Sequence, residues 1–225
     1  MKKVAIFFRN KKSPNIFREV ILDSLASEFD KCTICSAFFQ HPYKNKKNKT
    51  IGKFSTSQEI LSSLNKCNCH KKEISIYGLY ASNNWPTQYM LTCQSLNNRL
   101  SCCCTFKFFK FKNKKSHAKI FVAKTLKNKK YEPTLAIIGS SNLSAGAFSS
   151  QNTNWNQECD VIFWDENCSK ANGIMKKYLE LIQEEQSTLF ITNYDEEENK
   201  YPLSQKLSLL EKQIIESSEE YNLFN

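Results

Sequence analysis

His117 and Lys119 stand two residues apart in HAKIFVAK (117–124), directly after the basic run Lys112–Asn113–Lys114–Lys115. Side chains two apart on a strand project to the same face. Reading 117–123 as extended therefore places an imidazole beside an ammonium. Such a pair can do chemistry: imidazole serves as nucleophile or proton carrier near neutral pH, and an ammonium offsets charge on anionic oxygens. A lysine-rich chain also produces H-x-K by coincidence, so the motif by itself decides nothing.

Two further stretches carry polar groups at the ends of apolar runs. In LAIIGSSNLSAGAF (135–148) an apolar strand ends at Gly139–Ser140–Ser141–Asn142 and passes into what reads as a short helix. Glycine permits a tight turn there, and the serines and asparagine bring hydrogen-bonding groups. An ordinary strand-to-helix turn with a helix cap would look the same. In NWNQECDVIF (154–163), Glu158 opens another apolar strand.

Taken together and in this order, His117-x-Lys119, Gly139–Ser140–Ser141–Asn142 and Glu158 resemble the signature of the phospholipase D superfamily. The N-terminal strand–helix–strand ending in TICSAFF is similar to the opening of that family's domain, and the resemblance covers roughly residues 1–187. It implies an α/β fold, a phospholipase D-like mixed β-sheet flanked by helices on both faces. Within the family the chain looks most like the single-motif, restriction-endonuclease-like nucleases. One position departs: the family often carries an aspartate seven residues after the histidine, and Lys124 stands there. That aspartate has a supporting role which nucleases do not uniformly keep, so its loss weighs against lipid substrates more than against nuclease chemistry.

The resemblance implies roles that make physical sense. A phosphodiester repels nucleophiles and has a poor leaving group; attack by imidazole splits the displacement into two easier steps through a phosphohistidine. Lys119 and Asn142 would hold the non-bridging oxygens, and Glu158 would orient a histidine ring through its far nitrogen. Ser140, Ser141, Lys115 and Lys124 complete the expected substrate contacts. No metal or other cofactor is called for, and the sequence has no acidic cluster of the two-metal kind. A second histidine must protonate the leaving oxygen, yet the only others, His41 and His70, lack the motif around them. A twofold homodimer pooling two copies of His117 answers this need, since a symmetric interface brings identical residues together near its axis.

Composition narrows the partner. The chain of 225 residues carries a net charge of +10. Eight acids against three lysines give residues 188–225 a charge of −5, leaving +15 on residues 1–187. A body this basic attracts polyanions. Nucleic acid, DNA rather than RNA, is the expected partner, although compositional bias toward Lys and Asn would give a similar surface. The alternatives are a phospholipase or phosphatidyltransferase, and an inactive nucleic-acid-binding module, for which Lys124 is the main support. The 38 residues after Ser187 are too few for a recognition domain, so any sequence specificity would come from a partner protein. No apolar run reaches membrane-spanning length, and the N-terminal run of five is short for a secretion signal, which points to a cytoplasmic protein.

The elements needed to position these groups follow from periodicity. Strands are expected over Val4–Phe8, Cys32–Phe39, Glu73–Leu79, 101–111, 117–123, Pro133–Ile138 and Cys159–Trp164, and helices over 13–29, from Ser55 or Thr56 to Leu64, over 85–100 and over 169–185. Tyr43–Lys53 reads as a solvated lysine and asparagine loop, and Asp195–Glu198 as a solvated turn. Residues 1–187 form one body and 188–225 an acidic extension, helical where Leu203, Leu207, Leu210 and Ile214 recur. Cys32 and Cys35, three apart on a strand, face opposite ways and cannot clasp one zinc; Cys67, Cys69 and His70 are the better local metal cluster. Free, buried thiols are the default for the ten cysteines.

Overall fold

Continuous buried runs in the central strands, over 32–35, 120–123 and 133–137, give the sheet two buried faces, and each face recruits its own helices. The computed structural model describes residues 1–10, 14–44, 47–66, 71–98, 104–150, 156–182 and 189–223. In chain order the elements are β1 (Lys2–Arg9), α1 (Ile16–Ala26), β2 (Lys31–Cys35), β3 (Tyr43–Lys44), β4 (Thr50–Ile51), α2 (Thr56–Leu64), β5 (Lys72–Gly78), α3 (Trp85–Asn98) and β6 (Cys104–Phe111). There follow β7 (Ile120–Lys127), β8 (Lys130–Gly139), α4 (Ala145–Phe148), β9 (Glu158–Asp165), α5 (Ser169–Ile182), β10 (Leu189–Asn193), α6 (Glu196–Asn199), α7 (Leu203–Glu216) and β11 (Ser218–Glu220).

Nine of these strands form one mixed sheet in the order β10-β1-β9-β8-β7-β2-β5-β6-β11. β2, β5 and β6 run parallel, and the remaining neighbours pair antiparallel. On one face Ile34, Ile76, Phe121, Ile137 and Ile162 pack with α1, α2, α3 and α5. On the other, Cys35, Ile120, Val122 and Ala136 pack beneath Leu203, Leu207 and Ile214 of α7. The expected mixed sheet flanked by helices on both faces is thus what the chain builds. Cys32 and Cys35 fall in different clusters, as their spacing requires. All the described cysteines are free thiols; Cys67, Cys69 and His70 lie outside the described residues.

Local chemistry accounts for several boundaries. The Ser55 side chain accepts from the Gln58 amide and starts α2. Asn15 caps α1, which begins just after Pro14. In β6, CTFKFFKF, Phe106 and Phe108 are buried while Thr105 and Lys107 face outward, so its alternating phenylalanines mark a half-buried strand. Asp195 caps α6 in the segment expected as a turn, and the lysine loop contains the short β3–β4 hairpin. β10 and β11, five and three residues long, were not legible in the sequence; they pair with β1 and β6 at the two edges of the sheet. Among the described residues no helix is long and apolar enough to cross a membrane.

One correction concerns the opening motif. The strand expected over 117–123 begins only at Ile120, because its neighbour β2 ends at Cys35, the partner of Ile120. β2 in turn stops four residues before the expected Phe39. Beyond Cys35, the Ser36 amide donates to Tyr77 O at 3.1 Å and its hydroxyl to Phe38 O at 3.0 Å, which turns the chain out of the sheet.

Candidate active site

The register collects the candidate residues at one end of the sheet. Ile120, at the start of β7, pairs with Ile138 near the end of β8, and Gly139 pairs with Asp160 at the start of β9. His117, Lys119, the Gly139–Asn142 turn and Glu158 therefore share one rim, together with the last residues of β1, β2 and β5.

His117 and Lys119 occupy extended chain just outside β7, held by neighbours rather than by a ladder. The Cys35 thiol donates to Ala118 O at 3.6 Å, and the Gly139 amide donates to Lys119 O at 3.3 Å. Burial pushes the Cys35 thiol up to about 12, so it stays protonated and acts as a donor. Lys119 Nζ lies 3.0 Å from His117 Nδ1 and donates to His117 O at 2.6 Å. An ammonium can only donate, so Nδ1 is the acceptor and the neutral ring carries its proton on Nε2. Loss of hydration, and secondarily the charge of Lys119, hold the imidazole below its ordinary value. Burial likewise lowers Lys119, opposed by Glu158.

The turn across the rim is tightly fixed. Asp160 is 1% exposed, and it accepts from the Ser141 amide at 3.3 Å and from the Ser141 hydroxyl at 2.6 Å. Burial pushes its carboxyl up to about 6 despite those bonds. Gly139 lies so close that a Cβ there would fall 2.0 Å from Asp160 Oδ1, which explains the glycine without any unusual backbone angle. The Ser36 hydroxyl lies 3.5 Å from Asn142 Oδ1 and accepts from the Leu143 amide at 3.1 Å. Asn142 thus presents its side chain from a fixed backbone.

Glu158 accepts from the Ser140 hydroxyl and, at 3.1 Å, from Asn156 Nδ2. Both carboxylate oxygens are therefore engaged within the chain by groups other than a histidine. Behind it lies Arg9, 4% exposed, whose Nη1 donates to Gly146 O at 2.9 Å and Ala147 O at 3.1 Å while its charge faces Glu158 and Asp160. Arg9, Ser140 and Glu158 line an open cleft of about 550 Å³ together with Phe8.

Of the expected substrate contacts, Ser140 bonds to Glu158 while Ser141 is buried on Asp160. Lys115 is exposed on the turn before His117. Lys124 requires correction. Five residues beyond Lys119, roughly 16 Å along an extended strand, its ammonium pairs with Glu211 of α7, whose carboxylate also accepts from the Thr33 hydroxyl. The lysine in place of the family's aspartate is thus committed to the packing of α7. His41, which lacks the motif around it, turns Nδ1 toward the hydroxyls of Ser55 and Ser57 at 3.3 and 3.4 Å.

Sequence reading missed Ser36, Asp160, Arg9 and the rings around His117. Only Asp160 had a readable signal: two residues after Glu158 on a strand, it must share that residue's face.

No family model and no curated protein matches the chain. Among solved structures, the phosphatidylserine synthase of Haemophilus influenzae superposes with a TM-score of 0.47 at 14% identity, over 96% of this chain and 46% of the other. Yeast tyrosyl-DNA phosphodiesterase superposes with a TM-score of 0.40 at 11% identity, over 74% of this chain and 48% of the other. The chain spans less than half the length of either structure.

Proposed function

We propose that this protein is a metal-independent phosphodiesterase of the phospholipase D type, a nuclease acting on nucleic acid, DNA before RNA. The observation that carries this reading is the pairing of Lys119 with the His117 imidazole at 3.0 Å on the rim that also holds Asn142 and Glu158. An incoming phosphate gives Lys119 a stronger acceptor than Nδ1. As the ammonium moves to a non-bridging oxygen, the ring is released to exchange its proton and to present a bare nitrogen to phosphorus. The P–N bond forms, the bond from phosphorus to the leaving oxygen breaks, and a second imidazole donates its proton to that oxygen. Water then attacks phosphorus, its proton returns to the second imidazole, and the P–N bond breaks.

The acid must carry a proton on both ring nitrogens, whereas the nucleophile must be neutral with its attacking nitrogen bare, so one ring cannot fill both roles at once. Two copies of His117 in different roles, one from each protomer of a homodimer, satisfy both. With His41 turned to Ser55 and Ser57, the chain's own described residues do not supply the second ring. The excess of lysines on residues 1–187 supports a nucleic-acid substrate through backbone contacts. Lys124 gives no support to an inactive module, because its charge is neutralised by Glu211 and not presented to the rim.

A phosphatidyl-transfer reading has one observation in its favour. Phe8, 46% exposed, and Phe190, 59% exposed, contact one another, and Phe8 lines the cleft that holds Ser140 and Glu158. One assay separates the readings: single- and double-stranded DNA and RNA, and phosphatidylcholine vesicles, are each incubated with the protein in EDTA. The nuclease reading expects nucleic-acid cleavage in EDTA that falls by a factor of roughly 1,000 or more in His117→Ala, with a dimer mass by light scattering. Cleavage abolished by EDTA and restored by magnesium would overturn it, as would full activity in a monomer.

A further inference from the structure

The segments after β2 and β5 place two rings against His117 and a third ring behind them. Phe38 lies edge-on to the imidazole with centroids 5.2 Å apart, and Tyr80 does the same at 4.8 Å. Phe38 also meets Tyr80 at 5.2 Å and Trp85, the first residue of α3, at 4.4 Å. All three are only partly buried, whereas the core rings Phe7, Phe39 and Phe121 are fully covered. Rings needed solely for packing would sit inside the core; these lie at the surface, against the residue assigned to attack phosphorus.

Their surroundings are basic. The exposed lysines 112, 114 and 115 lie on a turn tied to this group by the Ala81 amide, which donates to Lys114 O at 3.0 Å. On the far side, Asn84 Nδ2 donates to the Tyr43 hydroxyl at 2.7 Å, which joins the start of α3 to the β3–β4 hairpin and its exposed lysines 44, 47 and 49. Aromatic surface thus runs from His117 toward a second lysine-bearing loop.

Resting on the nuclease reading, we infer that Phe38, Tyr80 and Trp85 form a base-stacking subsite for the nucleotide beside the scissile phosphate, and that the substrate is therefore unpaired, single-stranded nucleic acid. Partly exposed rings between cationic loops are the combination that binds single strands: lysines follow the phosphates, and any base offers a π-face to a ring. In a duplex the bases are already stacked and paired, so a ring beside the phosphate has no base face to meet. The aromatic setting also serves the chemistry, since loss of hydration, together with the charge of Lys119, favours a neutral imidazole.

The test compares fluorescent, phosphorothioate-linked single strands that resist cleavage, of equal length and charge, one with bases and one abasic, with a duplex of the same length and linkage, binding in EDTA to wild type, Trp85→Leu and Tyr80→Leu; circular dichroism confirms each fold. The base-bearing single strand should bind wild type roughly tenfold more tightly than the abasic strand, and quench tryptophan emission. Each variant should lose most of that preference while holding abasic strands unchanged. Equal affinity of wild type for base-bearing and abasic strands would overturn the stacking subsite but leave the nuclease reading standing, and so would tighter binding of the duplex. No binding of any nucleic acid, with phosphatidylcholine vesicles bound through the same rings, would overturn both. The comparison within wild type needs no variant, so a misfolded mutant cannot obscure the result.

Discussion

The two ends of the apolar run in β7 carry the same residue type with opposite fates. At the rim, Lys119 faces a ring nitrogen and a backbone carbonyl, and burial without a contacting carboxylate lowers its pKa. At the other end, Lys124 is 15% exposed at its side chain and pairs with Glu211, itself 8% exposed, beneath α7. The first ammonium keeps its charge available to an incoming anion. The second has spent its charge inside the molecule, where it fixes a helix to the sheet. A lysine's role is thus set by the partner the fold supplies: a site requires an incompletely satisfied cation, and a core does not tolerate one.

Substitution at each end can break this contrast. Lys119→Ala should cut turnover roughly 100- to 1,000-fold, the usual loss for one group stabilising transition-state charge, with little change in thermal stability. Steady-state kinetics beside a melting curve checks both halves; a stability loss with normal turnover would reverse the assignment. Lys124→Ala should do the opposite. It leaves the Glu211 carboxylate buried without its counter-charge and should cost about 3 kcal/mol by denaturant titration, with the folded fraction cutting at the normal rate. The double variant Lys124→Met/Glu211→Leu should recover most of that loss, since no unpaired charge remains.

A smaller effect sharpens the comparison on β9, where Glu158 lies at the rim and Asp160 is buried. With its folded-state pKa raised from 3.8 to about 6, Asp160 binds its proton more tightly when the protein is folded. Its contribution to stability is therefore fully present below about pH 4 and is lost as the pH rises toward 6, by at most about 3 kcal/mol. Unfolding free energies of wild type minus those of Asp160→Asn, taken from pH 4 to 7, should show this decline and then a plateau. A difference that stays flat over this range would mean that Asp160 titrates normally.

How much of this was legible follows from the length scale of each signal. The turn at Gly139–Asn142 and the acid at the head of β9 could be read because glycine, serine and a carboxylate at the end of an apolar run leave a local mark. The extent of the strand at His117 could not, because β7 begins only where Cys35 of β2 is present to pair with it. β10 and β11 escaped for the same reason: short strands owe their existence to the edge they join.

The sequence by itself determined the order of helices and strands, the inward-facing phenylalanines of β6, the α2 cap at Ser55 and the set of polar groups available for chemistry, because periodicity and capping act within a few residues. Tertiary structure alone decided which of those groups meet. It set Lys124 on Glu211, buried Asp160 under the Gly139 turn, and brought Phe38 and Tyr80 to the imidazole from the segments after β2 and β5, with Trp85 against Phe38. Contacts between residues far apart in the chain depend on strand order and register, and those are fixed only when the whole core packs.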